Sequence, residues 1–294
     1  MLVVVLQEDV GMKLVTFVHG GSTARAGVLV GETVFDLSAD GFGNTLEFLE
    51  AGDAAVARAK ARVEAGKEGI ALSQIRLLSP IPRPPRVFGV GLNYAEHAAE
   101  SQMKVQVVPT VFLKLSSTVV GPDVDVVLPH NATQSDYEAE LAVVIGTAGY
   151  RIAAADAEKH IFGYTICNDV SARDVQLATS QWTLGKSFPT FTPIGPAIVS
   201  KDEVGDPHEL DISLTIDGET LQSSNTRLLI FRVPQLIEYI SSITPLEVGD
   251  VISTGTPPGV GLGRTPQRWL KPNEEMVITI EKIGSLRNRT VAEG

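Results

Sequence analysis

Asp136-Tyr137-Glu138-Ala139-Glu140-Leu141-Ala142-Val143-Val144-Ile145 places two acids one residue apart at the head of an apolar run. The run 141–145 predicts a strand. Successive side chains of a strand alternate faces, so Glu138 and Glu140 project to the same side. Two carboxylates on one face repel, and desolvating them costs more still. A cation relieves both problems. A second apolar run, Ile161-Phe162-Gly163-Tyr164-Thr165-Ile166-Cys167, predicts another strand, and Asp169 follows where that strand would give way to a loop. Three oxygen ligands on rigid elements suit a hard divalent ion, Mg2+ or Mn2+, with positions left for water and substrate. A solvated strand face carrying two unrelated acids has the same spacing, so the pattern alone leaves both open.

Outward from this stretch the chain is strand-dominated. Further short β-rich runs fall at 87–90, 110–113, 197–200, 210–216, 250–253 and 276–280, with helical patterns only at 94–101, 155–159, 172–181 and 233–241. Many strands with scattered helices predict a β-rich α+β domain rather than a doubly wound sheet. Before it, residues 12–36 alternate β-rich runs with glycine turns, and 45–51 and 54–65 read as helices. Ser79-Pro80-Ile81-Pro82-Arg83-Pro84-Pro85 is a stiff extended segment. It divides a small N-terminal α+β domain, 1–79, from a catalytic domain, 80–294. Met12 opens the first clean strand pattern, so residues 1–11 read as an extension.

The chain has 294 residues, 44% hydrophobic and 20% charged, enough for one large domain and a small one. A formal charge of −11 argues against nonspecific nucleic-acid binding, which needs a basic surface. It does not exclude anionic small molecules, because a bound cation reverses the local field. No apolar run approaches the length of a membrane span. The single cysteine, Cys167, lies inside an apolar run and reads as a buried thiol in a reducing cytosol. A soluble cytoplasmic protein is expected.

Several smaller motifs bear on chemistry. His97 and Glu100 sit at i and i+3 on a short helix and share a face. A histidine beside a carboxylate has the composition of a general base with an orienting partner; a surface histidine on a polar helix has it too. Ser171-Ala172-Arg173-Asp174 has capping-box form and predicts a helix start just after Asp169. Gly89-Val90-Gly91-Leu92-Asn93-Tyr94 and Gly259-Val260-Gly261-Leu262-Gly263 imitate dinucleotide fingerprints, but the first lacks its third glycine and the second precedes no clear helix. Tight turns explain both better. Gly185-Lys186-Ser187-Phe188 mimics the tail of a phosphate loop without the upstream glycine, so Lys186 is either a surface lysine or a cation aimed at an anionic substrate.

Five motifs in order carry a resemblance that runs from about Pro80 to the C-terminus. They are Gly91-Leu92-Asn93-Tyr94-Ala95-Glu96-His97, Asp136 to Leu141, Asn168-Asp169-Val170-Ser171-Ala172-Arg173-Asp174-Val175-Gln176, Gly185 to Phe188 and Ser253-Thr254-Gly255-Thr256-Pro257. In these the chain resembles the fumarylacetoacetate hydrolase family, in the bacterial branch acting on acylpyruvates and hydroxymuconate-type dienes. The resemblance implies a mixed β-sandwich roll, a metal held by Glu138, Glu140 and Asp169, and a lid carrying His97 and Glu100. It also implies that Lys186, Gln176, Thr190 and Thr256 touch substrate or sit beside the metal, and that the protein is a homodimer. Pro189 departs from the Asp often found before Thr190.

These features lead to an expected mechanism. A 2-oxo acid chelates Mg2+ (or Mn2+), which stabilises a developing enolate. His97 is the expected general base, oriented by Glu100, with Lys186 adding positive charge near the enolate oxygen. Hydrolysis of a carbon–carbon bond in an acylpyruvate ranks first. Decarboxylation of oxaloacetate, or isomerisation of a 2-hydroxy-dienedioate, uses the same site and ranks second.

Overall fold

The computed structural model describes residues 11–66 and 69–294; the expected extension therefore lies outside the described residues apart from Gly11. The strand Ala139–Ile145 pairs antiparallel with Ile161–Asn168 on one side and with Val251–Ser253 on the other. All seven of its residues are buried. Leu141, Val143 and Ile145 enter a core shared with Ile212, Leu214, Ile278 and Ile280, and with Leu236, Ile237 and Ile240 of the helix Val233–Ile243. Ala142 and Val144 enter a second core with Phe48, Leu49, Ala55 and Ala59 from the helices Thr45–Glu50 and Gly52–Ala65. Both faces being covered, the strand reads as an unbroken apolar run instead of an alternating one. Burying each Leu, Val or Ile side chain there contributes roughly 1.5–3 kcal/mol.

Among the described residues the strands form a 12-stranded sheet, a 5-stranded sheet and a two-stranded ladder. The large sheet runs from Gly69–Ala71 through Thr33–Asp36, Arg25–Val30 and Lys13–Val18 to Thr192–Ser200 and Ile161–Asn168. It continues through Ala139–Ile145, Val251–Ser253 and Val87–Gly91 to Thr110–Lys114 at its far edge. The smaller sheet, built on Asp211–Ile216, Glu275–Ile280 and Gly284–Ala292, covers the opposite side of the first core. The result is the expected β-rich α+β sandwich roll. The N-terminal segment is hydrogen-bonded into the large sheet, Lys13 opposite Val199 and Leu14 opposite Ile198. The proline-rich stretch is held down: Ser79 and Ile81 are buried, and Thr16 Oγ1 donates to Pro80 O at 2.7 Å.

Helix lengths depart from expectation in one place that matters. The pattern 172–181 predicts ten helical residues, whereas only Arg173–Gln176 is helical. Ser171 does not cap it; its hydroxyl turns back to Asp169 O at 2.9 Å. Ser171–Ala172 instead pairs with Ser135–Asp136 in the short ladder, and Thr179 Oγ1 accepts from Gln181 N in a turn that ends the run. The expected helix 155–159 is a 3-10 turn, Ala154–His160.

Candidate active site and metal centre

The antiparallel register assembles the acids. Ala139 lies opposite Asn168 and Glu140 opposite Cys167, and the ladder extends one pair beyond the strands, where Asp169 N donates to Glu138 O at 3.0 Å. Glu138 N is further held by Asn168 Oδ1 at 3.1 Å. Glu138, Glu140 and Asp169 are all buried, and each offers a carboxylate oxygen within 4.8 Å of the others.

Cations and donors surround the trio. Lys186 Nζ reaches Glu138 Oε2 at 2.6 Å and Asp169 Oδ2 at 2.8 Å. Lys114 Nζ pairs with Asp169 Oδ1 at 2.6 Å and donates to Val170 O and Lys186 O. Arg173 donates from Nη2 to Glu138 Oε1 at 2.7 Å, from Nε to Asp136 Oδ2 at 2.8 Å and from Nη1 to Gln176 Oε1 at 2.9 Å. Both hydrogen bonds to Glu140, from Ser253 Oγ at 2.6 Å and Gly255 N at 2.9 Å, fall on Oε2, which leaves Oε1 for a ligand.

These surroundings separate the acids electrostatically. Burial would push the Glu138 carboxyl up, but the charges of Lys186 and Arg173 outweigh it and hold the group well below the usual carboxylate range. Glu140 goes the other way: burial, then the like charges of Asp169 and Glu138, push it well above that range. Burial also lowers Lys114, against the opposing pull of Asp169, whereas Lys186 is raised because Asp169 and Glu138 together overcome its burial. A buried acid with one bare oxygen, crowded by two others, is what a hard divalent cation stabilises. The residues present fit Mg2+ or Mn2+.

A narrow cleft lies above the trio. His97 lines it, as do Gln176, Lys186 and Thr256, and Leu92, Met103, Phe112, Trp182 and Leu262 supply apolar walls. His97 belongs to the helix Ala95–Glu100 and is buried, which disposes of the surface-histidine alternative. Its Nδ1 meets Glu100 Oε1 at 2.9 Å, leaving Nε2 for proton transfer. Thr256 Oγ1 donates to Ala139 O and accepts from Gln222 Nε2, so it ties the cleft to the central strand.

Thr190 is the exception among the expected residues. It does not line the cleft; its hydroxyl accepts from Val127 N at 2.8 Å and donates to Pro189 O. Its φ of 67° turns the chain left-handed directly after Pro189, a conformation rare for a β-branched residue, and this carries the side chain away.

Asp136, Arg173 and Lys114 went unassigned from sequence. Arg173 stood inside a motif explained as a helix cap, and Lys114 closes the strand pattern Thr110-Val111-Phe112-Leu113, where a lysine ending an apolar run was the available signal. Gly89 and Gly91, expected in a tight turn, lie in the strand Val87–Gly91 and serve as clearances: a Cβ on Gly89 would strike Phe112 and one on Gly91 would strike Trp182, while one on Gly185 would strike the Gln176 backbone.

The family model for the fumarylacetoacetate (FAA) hydrolase C-terminal domain matches residues 86–291. The chain belongs to the fumarylacetoacetate hydrolase family. Relatives include human oxaloacetate tautomerase FAHD2A, mitochondrial, 44% identical over 247 residues, which covers 83% of this chain and 79% of that one. Oxaloacetate tautomerase YisK of Bacillus subtilis is 41% identical over 260 residues, covering 84% and 86%. Among solved structures, maleylpyruvate hydrolase from Sphingobium sp. SYK-6, in complex with manganese(II) and pyruvate, superposes with a TM-score of 0.82 at 29% identity over 96% of this chain and all of that one. Fumarylacetoacetate hydrolase from Exiguobacterium antarcticum gives 0.83 at 35% over the same shares. The chain is an enzyme of this fumarylacetoacetate hydrolase family. Among the described residues no helix is long and apolar enough to cross a membrane.

Proposed function

We propose that this fumarylacetoacetate hydrolase family member is a divalent-cation-dependent tautomerase of an oxaloacetate-type 2-oxo acid. One observation carries the proposal: His97, with Nδ1 held by Glu100, faces a cleft that is apolar above and ionic below. Interconverting keto and enol forms requires one base that takes a proton from C3 and returns it to the 2-oxygen, with no water consumed. His97 is placed for that, and the walls of Leu92, Met103, Phe112 and Trp182 exclude solvent from the transfer.

Glu138, Glu140 and Asp169 would hold the cation, whose positive charge steadies the oxygen anion that develops on the substrate. The chain contributes its own share of field. Four buried acids, Asp136 included, face three buried bases, Lys114, Lys186 and Arg173, for a net charge near −1. A divalent ion makes the site net positive, which suits an anionic acid. Gln176, whose Oε1 accepts from Arg173, lines the cleft with its Nε2 amide left to donate to a carboxylate. The names of the curated relatives support this order over hydrolysis first.

Hydrolysis of an acylpyruvate is the second proposal, supported by the pyruvate-bound maleylpyruvate hydrolase. A cytoplasmic homodimer belongs to the same proposal; Leu113 in the edge strand Thr110–Lys114 and Leu115 just after it are exposed and would be covered by a second copy. The test supplies purified protein and Mg2+ or Mn2+ with oxaloacetate and, separately, an acylpyruvate. Enol decay is followed spectroscopically and pyruvate by a coupled assay. Enol–keto exchange that outruns pyruvate release supports the tautomerase. Cleavage of the acylpyruvate without enhanced exchange would overturn it in favour of the hydrolase.

A further inference from the structure

The backbone of the second glycine-rich stretch, Gly259-Val260-Gly261-Leu262-Gly263, is aimed at the side chains around the cleft. Gly259 N donates to both oxygens of Glu100, at 3.1 and 2.9 Å. Two residues on, Gly261 N and Leu262 N donate to Asp136 Oδ1 and Oδ2 at 2.7 and 3.0 Å. We propose that this turn is a positioning element of the active site, the receptor that fixes Glu100, and through it His97, when the helix Ala95–Glu100 covers the cleft. The inference rests on the assignment of His97 as the acting base.

The turn is built to be rigid. Tyr137 Oη and Arg264 Nε both donate to Gly259 O, at 3.0 and 3.2 Å, and Arg264 Nη2 anchors to Leu221 O at 2.8 Å. Gly259 adopts a φ of 107° and leaves no room for a Cβ against Leu221 O, while a Cβ on Gly261 would meet Arg268 O. Val260 is fully buried. The Ala95–Glu100 helix is six residues long, too short to be stable by itself. A short helix therefore borrows its position from a fixed partner, and Glu100 is the contact. The charge-assisted bonds from Gly259 N are of the stronger kind. Through Asp136 and Arg173 the same turn also supports Glu138, so base and acid cluster are registered against one piece of backbone.

Gly263 offers a clean test. Its φ is unremarkable for an L-residue, and an added Cβ would come within 2.6 Å of Glu100 Cδ and 2.7 Å of its Oε2, the far end of a flexible side chain. Gly263→Ala should keep the fold and displace only the carboxylate. Two readouts are taken on the Mn2+-loaded protein: amide hydrogen exchange of residues 95–100, and kcat with its pH profile for wild type, Gly263→Ala, Glu100→Gln and the double variant. Expected are faster exchange over 95–100 in Gly263→Ala and a fall in kcat of between about 10- and 100-fold. The pH profile should shift as in Glu100→Gln, and the double variant should be no worse than Glu100→Gln alone. Wild-type exchange and kcat in Gly263→Ala, with Glu100→Gln impaired, would overturn the receptor while sparing the base. Faster exchange in Gly263→Ala with a Glu100→Gln enzyme at wild-type kcat would overturn the route through Glu100, and wild-type kcat in His97→Ala would overturn the base assignment beneath it. Fully additive losses in the double variant would overturn the route through Glu100.

Discussion

Arg173 meets Glu138 across 2.7 Å with both side chains almost wholly out of solvent, and its remaining nitrogens are committed to Asp136 and Gln176. A guanidinium with each nitrogen bonded to a side-chain oxygen acts as a structural counter-ion to the acids even as it lines the cleft. Arg173→Met would strand two buried carboxylates, and breaking such a pair costs about 3–5 kcal/mol. In chelator the variant should unfold at correspondingly lower denaturant. Added Mn2+ should recover more stability than in wild type, since Glu138 then lacks its competing cation. Equal unfolding midpoints for the two proteins in chelator would contradict this role.

His97→Ala removes the only imidazole lining the cleft among the described residues and leaves the acids untouched. A positioned general base typically contributes about 10²–10⁴-fold, so kcat should drop by about 10²-fold or more with Mn2+ affinity unchanged. Glu100→Gln should be milder, because the ring stays while its orienting charge is lost. Titration calorimetry beside steady-state kinetics separates the two effects.

Local period made part of this site legible. Glu138 and Glu140 share a face because a strand alternates, Asp169 stands at the end of the neighbouring strand, and His97 and Glu100 meet because a helix brings i and i+3 together. What could not be read depends on pairings far apart in sequence. Arg173 reaches Asp136 only because Ser171–Ala172 forms a ladder with Ser135–Asp136. Nothing in the helical pattern 172–181 announces that ladder. Lys114 is buried against Asp169 through a strand that joins the sheet at its far edge. Thr190 shows the opposite failure: a motif match carried it to the site, and a local turn after Pro189 removed it.

His208 sets a pH dependence away from the cleft. Its Nε2 accepts from Val233 N at 3.2 Å, at the start of the helix Val233–Ile243, and its Nδ1 meets Asp206 Oδ1 at 3.0 Å. Burial lowers its pKa below the ordinary 6.5, with Arg232 also lowering it, while the hydrogen bond and charge of Asp206 and the charge of Glu209 oppose. A depressed histidine favours the neutral form in the fold. Its stabilisation is full above the unfolded value and is lost as pH falls through the folded one. Protonation turns the Nε2 acceptor into a donor facing an N–H. The unfolding midpoint should fall as pH drops below about 6.5, and His208→Gln, which keeps an acceptor without the titration, should flatten that slope. An unchanged slope in the variant would assign the loss to other groups.

The last expectation concerns the cation. Glu140→Gln keeps the shape of the side chain and a carbonyl oxygen to accept from Ser253 Oγ and Gly255 N, but removes one of three ligand charges. Affinity for Mn2+ should fall by at least about 10–100-fold, the loss that changes in the surrounding shell alone produce. Stability without metal should move in the opposite direction. Burial and the charges of Asp169 and Glu138 work against an ionised Glu140, so a neutral side chain relieves the cluster, and the variant in chelator should be at least as stable as wild type. Chelator should abolish wild-type turnover, and Mn2+ or Mg2+ should restore it. Calorimetric titration of Mn2+ into wild type and variant, with denaturant melts in chelator, reads both signs at once. Wild-type affinity in the variant would remove Glu140 from the ligand set, and full turnover in excess chelator would remove the cation from the reaction.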